Sequence, residues 1–323
     1  MRGGALGALA LAAAVLIPAV APAAGPPADS DEYRKSWGLE AIGARAAYDA
    51  GFTGKGVTVA VVDCGLAGAQ RELMRNVSRR SHDVVGNRAL PPTDRHGGYV
   101  AGPLASPLNG SGMVGVAYNA TLLEIRADID GGLDGACAFR PDDLARALDY
   151  ARLQKARIVV LPLQHGKPLG EAFETALKRL VDSGAAVVIA AGNRNGPDPS
   201  WPARYAIDPR YAGGIVVAGA SSYHGDLASW SNRAGAVRAW YVAAPGEWVL
   251  TDCRDKCALV SGTSFSTSYV AGALALLMEA RPKLSGPQAI EAILDAARDG
   301  GEPGTDEVYG RGVLALGGLF PAD

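Results

Sequence analysis

Short β-branched runs alternate with stretches of helical periodicity along most of this chain. The apolar segments 56–63 (GVTVAVVD), 120–127 (ATLLEIRA), 156–163 (ARIVVLPL), 184–193 (GAAVVIAAGN) and 213–220 (GGIVVAGA) predict buried strands. Between them, Leu144, Ala147, Leu148 and Ala151 recur at helical spacing, as do Phe173, Ala176, Leu177 and Leu180. Near-continuous apolar strands separated by one-faced helices predict an α/β fold: a largely parallel central sheet with helices on both faces. In such sheets the working groups gather beyond the carboxyl ends of the strands. Two of these segments end on polar residues, Asp63 and Asn193.

One predicted helix departs from the pattern. Residues 261–277 (SGTSFSTSYVAGALALL) carry no charge and are small or apolar on every side. A helix apolar all round belongs inside a large domain. Its first turn nevertheless holds Ser264, directly after Gly262 and Thr263, where a hydroxyl can be presented at the mouth of a buried element.

The 323 residues suffice for one large domain, and no repeat or change of composition divides them. A formal charge of −2 offers no basic face for nucleic acid. Residues 1–23, with Arg2, an apolar run and Ala-x-Ala choices ending at Ala21 or Ala23, read as a secretory signal peptide. A short extension (24–34) and a single domain (35–323) would follow. No later segment is apolar for long enough to span a bilayer. Cys64, Cys137, Cys253 and Cys257 suit an exported protein. Cys253 and Cys257 (CRDKC) would close a small loop at a hairpin tip, leaving Cys64 with Cys137 by subtraction; four free thiols are the alternative. Neither spacing resembles a zinc site, so no metal ligands are assigned.

Three local motifs fail on context. GSGMVG (110–115) matches a dinucleotide fingerprint but leads into a strand instead of opening a helix. DIDGGLDG (128–135) looks like a calcium loop, yet Phe139 stands where a bidentate Glu is required, so a solvated acidic loop is expected. GTSFS lacks the second glycine of a nucleophile elbow.

A nucleophilic serine needs a base, an orienting carboxylate and donors for an oxyanion. His82, His165 and His224 lie in polar segments and read as surface histidines. His96 instead heads a run of small apolar residues (HGGYVAGPLA), and Asp63 closes a buried strand where a carboxylate needs a partner. The order Asp63, His96, Ser264, with AAGN at 190–193 between the last two, resembles that of the subtilisin-like serine proteases, or subtilases. VAVVDCG, HGGYVAG, AAGN and GTSFSTSYVAG follow that family's four motifs, and NGSGMVGVAYNATL, VVAGASS and YVAAPGE resemble further landmarks. The resemblance covers roughly residues 35–318.

The resemblance implies a subtilisin-like fold and a secreted serine endopeptidase: Ser264 as nucleophile, His96 as general base and acid, Asp63 as its orienter, Asn193 in the oxyanion hole. It implies a polypeptide substrate, a monomer, no membrane span after signal cleavage and no organic cofactor; structural calcium would have no specific motif here. Pro162, Leu163 and Gln164 align with the substrate-pairing Ser-Leu-Gly of the family, and Arg194 and Ser200 with positions near the first specificity pocket. A proline there lacks an N–H, and a glutamine fills space the family leaves empty. Ser268 replaces the family proline after the nucleophile, and Gly98 and Tyr99 replace a threonine and a second histidine. Too few residues precede the body for an inhibitory pro-domain. The ends, around EYRKSWGLEAIGARAAYDAGFTGKGV and VYGRGVLALGGLF, resemble autotransporter passengers of Gram-negative bacteria without the barrel, implying release into the periplasm or outside the cell. The alternatives are a catalytically silent scaffold of this fold that binds polypeptides or partner proteins, and an esterase.

Overall fold

The computed structural model describes residue 1 and residues 30–66, 73–86, 88, 96–129, 137–211, 213–251, 253 and 257–320. The expected signal peptide and most of the extension after it lie outside the described residues, apart from Met1.

Three short helices, α1 (Asp31–Lys35), α2 (Trp37–Ala41) and α3 (Arg45–Asp49), lead into β1 (Thr58–Asp63). Then come β2 (His82–Asp83), α4 (His96–Ala105), β3 (Thr121–Arg126), α5 (Pro141–Leu153), β4 (Ile158–Leu161), α6 (Glu171–Asp182) and β5 (Ala186–Ala190). The remainder is β6 (Ile215–Ser221), β7 (Tyr241–Pro245), β8 (Val249–Thr251), β9 (Ala258–Val260), α7 (Thr263–Ala280) and α8 (Gly286–Asp295). The main sheet has the order β2-β3-β1-β4-β5-β6-β7, and every neighbouring pair is parallel. β8 and β9 form a separate antiparallel hairpin.

The five expected strands are the centre of this sheet. Successive strand residues point to opposite faces, and both faces are apolar. Val59 and Val61 of β1 pack with α4, α7 and α8 residues, whereas Ala60 and Val62 pack with those of α5 and α6. This double burial is why the strands read as continuous apolar runs.

Helix α7 crosses the middle of the first face. From Thr263 to Met278 every residue is buried except Ser264, which is half-buried at the open end. Each fully buried leucine here, such as Leu274 or Leu277, contributes about 1.5–3 kcal/mol relative to exposure. The first charge, Glu279, is the next-to-last residue of α7, where its Oε2 accepts the backbone N–H groups of Thr53, Gly54 and Lys55 at 2.6, 2.6 and 3.1 Å.

Two of the family departures have structural partners. The buried Ser268 hydroxyl donates to the Val100 carbonyl at 2.7 Å, fastening α7 to α4. Pro103 lies inside α4 and lacks the N–H that would have reached the Tyr99 carbonyl. The Thr251 hydroxyl, from the end of β8, donates to that carbonyl instead, at 3.0 Å.

Candidate active site

β1 delivers Asp63 to the carboxyl edge of the sheet, where its side chain is 1% exposed. The carboxylate accepts the Cys64 N–H at 2.7 Å, and His96 Nδ1 stands 2.8 Å from Oδ2 and 3.1 Å from Oδ1. A carboxylate accepts only, so Nδ1 carries the ring proton and Nε2 is left as a base. His96 reaches this position because α4 starts hard against the end of β1. A Cβ on Gly97 would lie 2.4 Å from the Gly65 carbonyl oxygen, so only glycine allows the approach. The imidazole is one-third exposed and lies beside the Phe265 ring, with centroids 5.9 Å apart.

Ser264 is the second residue of α7, where backbone N–H groups have no acceptor within the helix. Its hydroxyl donates to the Pro162 carbonyl at 2.9 Å. Asn193, exposed beyond β5, has its side-chain oxygen fixed by Thr263, which donates from its backbone N–H at 2.9 Å and its hydroxyl at 2.8 Å. The same hydroxyl accepts the Gly192 N–H at 3.0 Å. With the oxygen tied down, the NH₂ end of Asn193 is the part presented outward. It and the Ser264 N–H form a donor pair suited to an oxyanion, and the α7 dipole adds positive potential there.

The expected specificity residues divide. Pro162 and Leu163 are buried; only the proline carbonyl touches Ser264. Gln164 is exposed, and its Oε1 accepts the Asn193 N–H at 3.3 Å, so its side chain bridges the segments after β4 and β5. Arg194 is exposed next to Asn193, with its backbone N–H on Asn232 Oδ1 at 3.0 Å. The Ser200 hydroxyl is occupied as an acceptor from Asn232 Nδ2 at 3.1 Å. The surface histidines stay apart: His82 lies beside Tyr150, His165 turns to the Lys167 carbonyl and His224 packs on Tyr223.

Cys64 is bridged to Cys137, and Cys253 to Cys257 across the β8–β9 turn. The first bridge touches the site itself, with Cys64 Sγ 3.0 Å and Cys137 Sγ 3.9 Å from Asp63 Oδ1.

Two contributors escaped the sequence reading. Asn232, 3% exposed, accepts the Arg194 and Gly196 N–H groups and donates to the Ala191 carbonyl, shaping the loop that carries Asn193. Its setting, SWSNRAG, resembles any polar turn. Glu124, beside Val61 in the sheet, is 1% exposed with neither side-chain oxygen hydrogen-bonded. Burial first, and then the nearby Asp63 charge, push its carboxyl well above the usual range, so it keeps its proton. The signal was visible as the one acid in ATLLEIRA, on the strand face shared with Leu122.

The acidic segment beginning at Asp128 needs correction. Asp128 is 6% exposed instead of solvated, and its carboxylate receives Arg126 Nε at 2.7 Å and an Arg88 nitrogen at 3.2 Å. A carboxylate already neutralised by two guanidiniums does not fit a calcium ligand; residues 130–136 lie outside the described residues.

Residues 54–312 match the Subtilase family. Subtilisin BL of Lederbergia lenta is 30% identical over 279 residues, covering 86% of this chain and 96% of that protein. Subtilisin Savinase of the same organism is 29% identical with the same coverage. The Extracellular serine protease of Serratia marcescens is 26% identical over 355 residues, covering 88% of this chain and 33% of that protein. A match of that extent, on a parallel sheet that brings Asp63, Asn193 and the head of α7 to one edge, makes this chain a member of the subtilase family.

Proposed function

We propose that this serine endopeptidase works through Asp63, His96 and Ser264, with Asn193 as the oxyanion donor. The supporting observation is the 2.8 Å contact between Asp63 and His96 Nδ1, with the imidazole 5.9 Å from the ring of Phe265, the residue after Ser264 at the head of α7. When a peptide binds, the Ser264 hydroxyl turns from the Pro162 carbonyl to His96 Nε2. It attacks the scissile carbonyl as its proton passes to Nε2, and Asp63 supports the imidazolium. The developing oxyanion is met by the Ser264 N–H and the Asn193 amide. His96 protonates the leaving amine, and water hydrolyses the acyl-enzyme by the reverse path.

The leader-like N-terminus and the likeness to an Extracellular serine protease support export, into the periplasm or beyond. Among the described residues no helix is long and apolar enough to cross a membrane. Gln164 must leave Asn193 for a large side chain to enter between the two segments it bridges. Arg194, exposed at the same opening, favours acidic or polar side chains on the acyl side of the bond. Peptide-library profiling of Arg194→Ala should show that preference lost; an unchanged profile removes Arg194 from the account.

The test of the main reading exposes the purified chain and its Ser264→Ala variant to a tagged fluorophosphonate and then to an unfolded protein. Labelling and cleavage that both need Ser264 are expected. A folded sample that takes no label would make the chain a binding scaffold, and label without cleavage would favour an esterase.

A further inference from the structure

Asp63, Cys64, His96 and Cys137 come from three separate segments. Yet a carboxylate oxygen, two sulfurs and a ring nitrogen from them all lie within 4.8 Å of one another. No spacing rule finds this set, because the chain brings it together only in the fold. In the disulfide state the sulfurs are bonded to each other and neither is a thiolate. We infer that opening the Cys64–Cys137 bridge creates a site for one thiophilic divalent cation of the zinc class, held by both thiolates, Asp63 and His96 Nδ1. Its consequence for hydrolysis rests on the triad reading above; binding itself does not.

The donor set suits that ion. Zinc takes four ligands at about 2.3 Å for sulfur and about 2.0–2.2 Å for nitrogen and oxygen, so tetrahedral ligand atoms stand about 3.3–3.8 Å apart. His96 Nδ1 is already 2.8 Å from Asp63 Oδ2, with Cys64 Sγ at 3.0 Å and Cys137 Sγ at 3.9 Å from Oδ1. Once the sulfurs separate, small side-chain movements complete the tetrahedron. Asp63 and Cys64 are almost fully buried, where anionic groups need pairing or a metal.

The chemistry balances with a phosphine reductant. Phosphorus is oxidised to its oxide, taking the oxygen of one water. The S–S bond breaks, and the two electrons with the two protons of that water convert the sulfurs to thiols. Metal binding then releases both thiol protons to solvent, while the imidazole proton moves from Nδ1 to Nε2. An Nε2 that already holds a proton cannot take the one from Ser264, so occupancy halts hydrolysis.

The test uses the full chain with Cys253→Ser and Cys257→Ser, so the hairpin thiols cannot compete, and Ser264→Ala to prevent self-cleavage. After phosphine reduction and anaerobic desalting, Co²⁺ is titrated and the thiolate-to-cobalt charge-transfer band recorded, with circular dichroism as the fold control. One Co²⁺ per reduced chain is expected, displaced by equimolar Zn²⁺, with no band before reduction. His96→Ala in this background should bind about tenfold more weakly or worse. No stoichiometric uptake, unfolding on reduction, or unchanged affinity in His96→Ala would overturn the inference. With Ser264 restored, Zn²⁺ should inhibit only the reduced chain, and a chelator should reverse it; equal inhibition of the oxidised chain also overturns it. Absence of any hydrolysis by the oxidised chain would instead defeat the triad reading, leaving the cobalt titration to judge the metal site.

Discussion

Ser264 stands between two walls built on different chemistry. On one side, Asn193, Thr263, Gly192 and Asn232 are joined by hydrogen bonds among neutral groups. On the other, Asp63 meets His96 and a disulfide, and its charge helps raise the buried carboxyl of Glu124 above the usual range. The neutral wall holds a fixed geometry whatever the pH. The acid wall brings together ionisable groups and a disulfide, with Asp63 and Cys64 almost fully buried. On the proposed reading, oxyanion donors and base are separate tasks, and they stand on separate elements: Asn193 beyond β5 with the head of α7, and His96 at the start of α4 against the end of β1.

The acid wall is most directly disabled at Asp63. Asp63→Asn should lower kcat about 10⁴-fold, the scale known for triad carboxylates, with KM little changed. Steady-state peptide hydrolysis measures it; a loss under tenfold would make the acid wall structural only. Asn193→Ala attacks the neutral wall and should cost about 10²–10³ in kcat, the loss known for the corresponding amide of subtilisin, a member of the same family. Thr263→Val removes one hydroxyl that serves both Asn193 and Gly192. A fall in kcat between about fivefold and about thirtyfold is expected, at roughly 1 kcal/mol for each of the two neutral hydrogen bonds. The pH–rate profile should keep its shape, and a moved profile would merge the two walls.

Glu124→Gln should leave turnover closest to wild type and act on stability. The folded chain keeps the Glu124 proton where an unfolded glutamate, with a pKa of about 4.3, has lost it. Wild type therefore loses stability as pH rises from that value toward the raised folded pKa, by up to about 1.4 kcal/mol per pH unit. Glutamine cannot ionise. The variant should equal wild type near the low end and gain over it steadily above, in denaturant melts on the Ser264→Ala background. Parallel curves would show that Glu124 is not held neutral.

Much of this was legible beforehand, for physical reasons. The central strands could be read because burial on both faces makes them continuous apolar runs. The head of α7 stood out because a wholly apolar helix with a polar start is costly unless that start is used. Asp63, His96, Asn193 and Ser264 could be named because short motifs mark their ends of strands and helices. β7 was quoted only as the landmark YVAAPGE and not as a strand, since five residues ending in proline carry little periodicity. Asp128 was misjudged because one partner, Arg88, lies forty residues earlier in the chain, and the pairing with Arg126, two residues before it, shows only once both are buried. Glu124 and the nearness of Cys137 to Asp63 depend on packing across neighbouring strands and loops, which no local pattern encodes.

The contact between Gly97 and Gly65 bears on how a mutational scan of this protein would be interpreted. Any side chain at Gly97 pushes the start of α4 off the end of β1, and His96 rides on that start. In a saturation library Gly97 will look as intolerant as His96 itself, although it has no functional group. Sensitivity at that position measures the clearance between two backbones, and counting it as evidence of chemistry would place the machinery one residue too far along the chain.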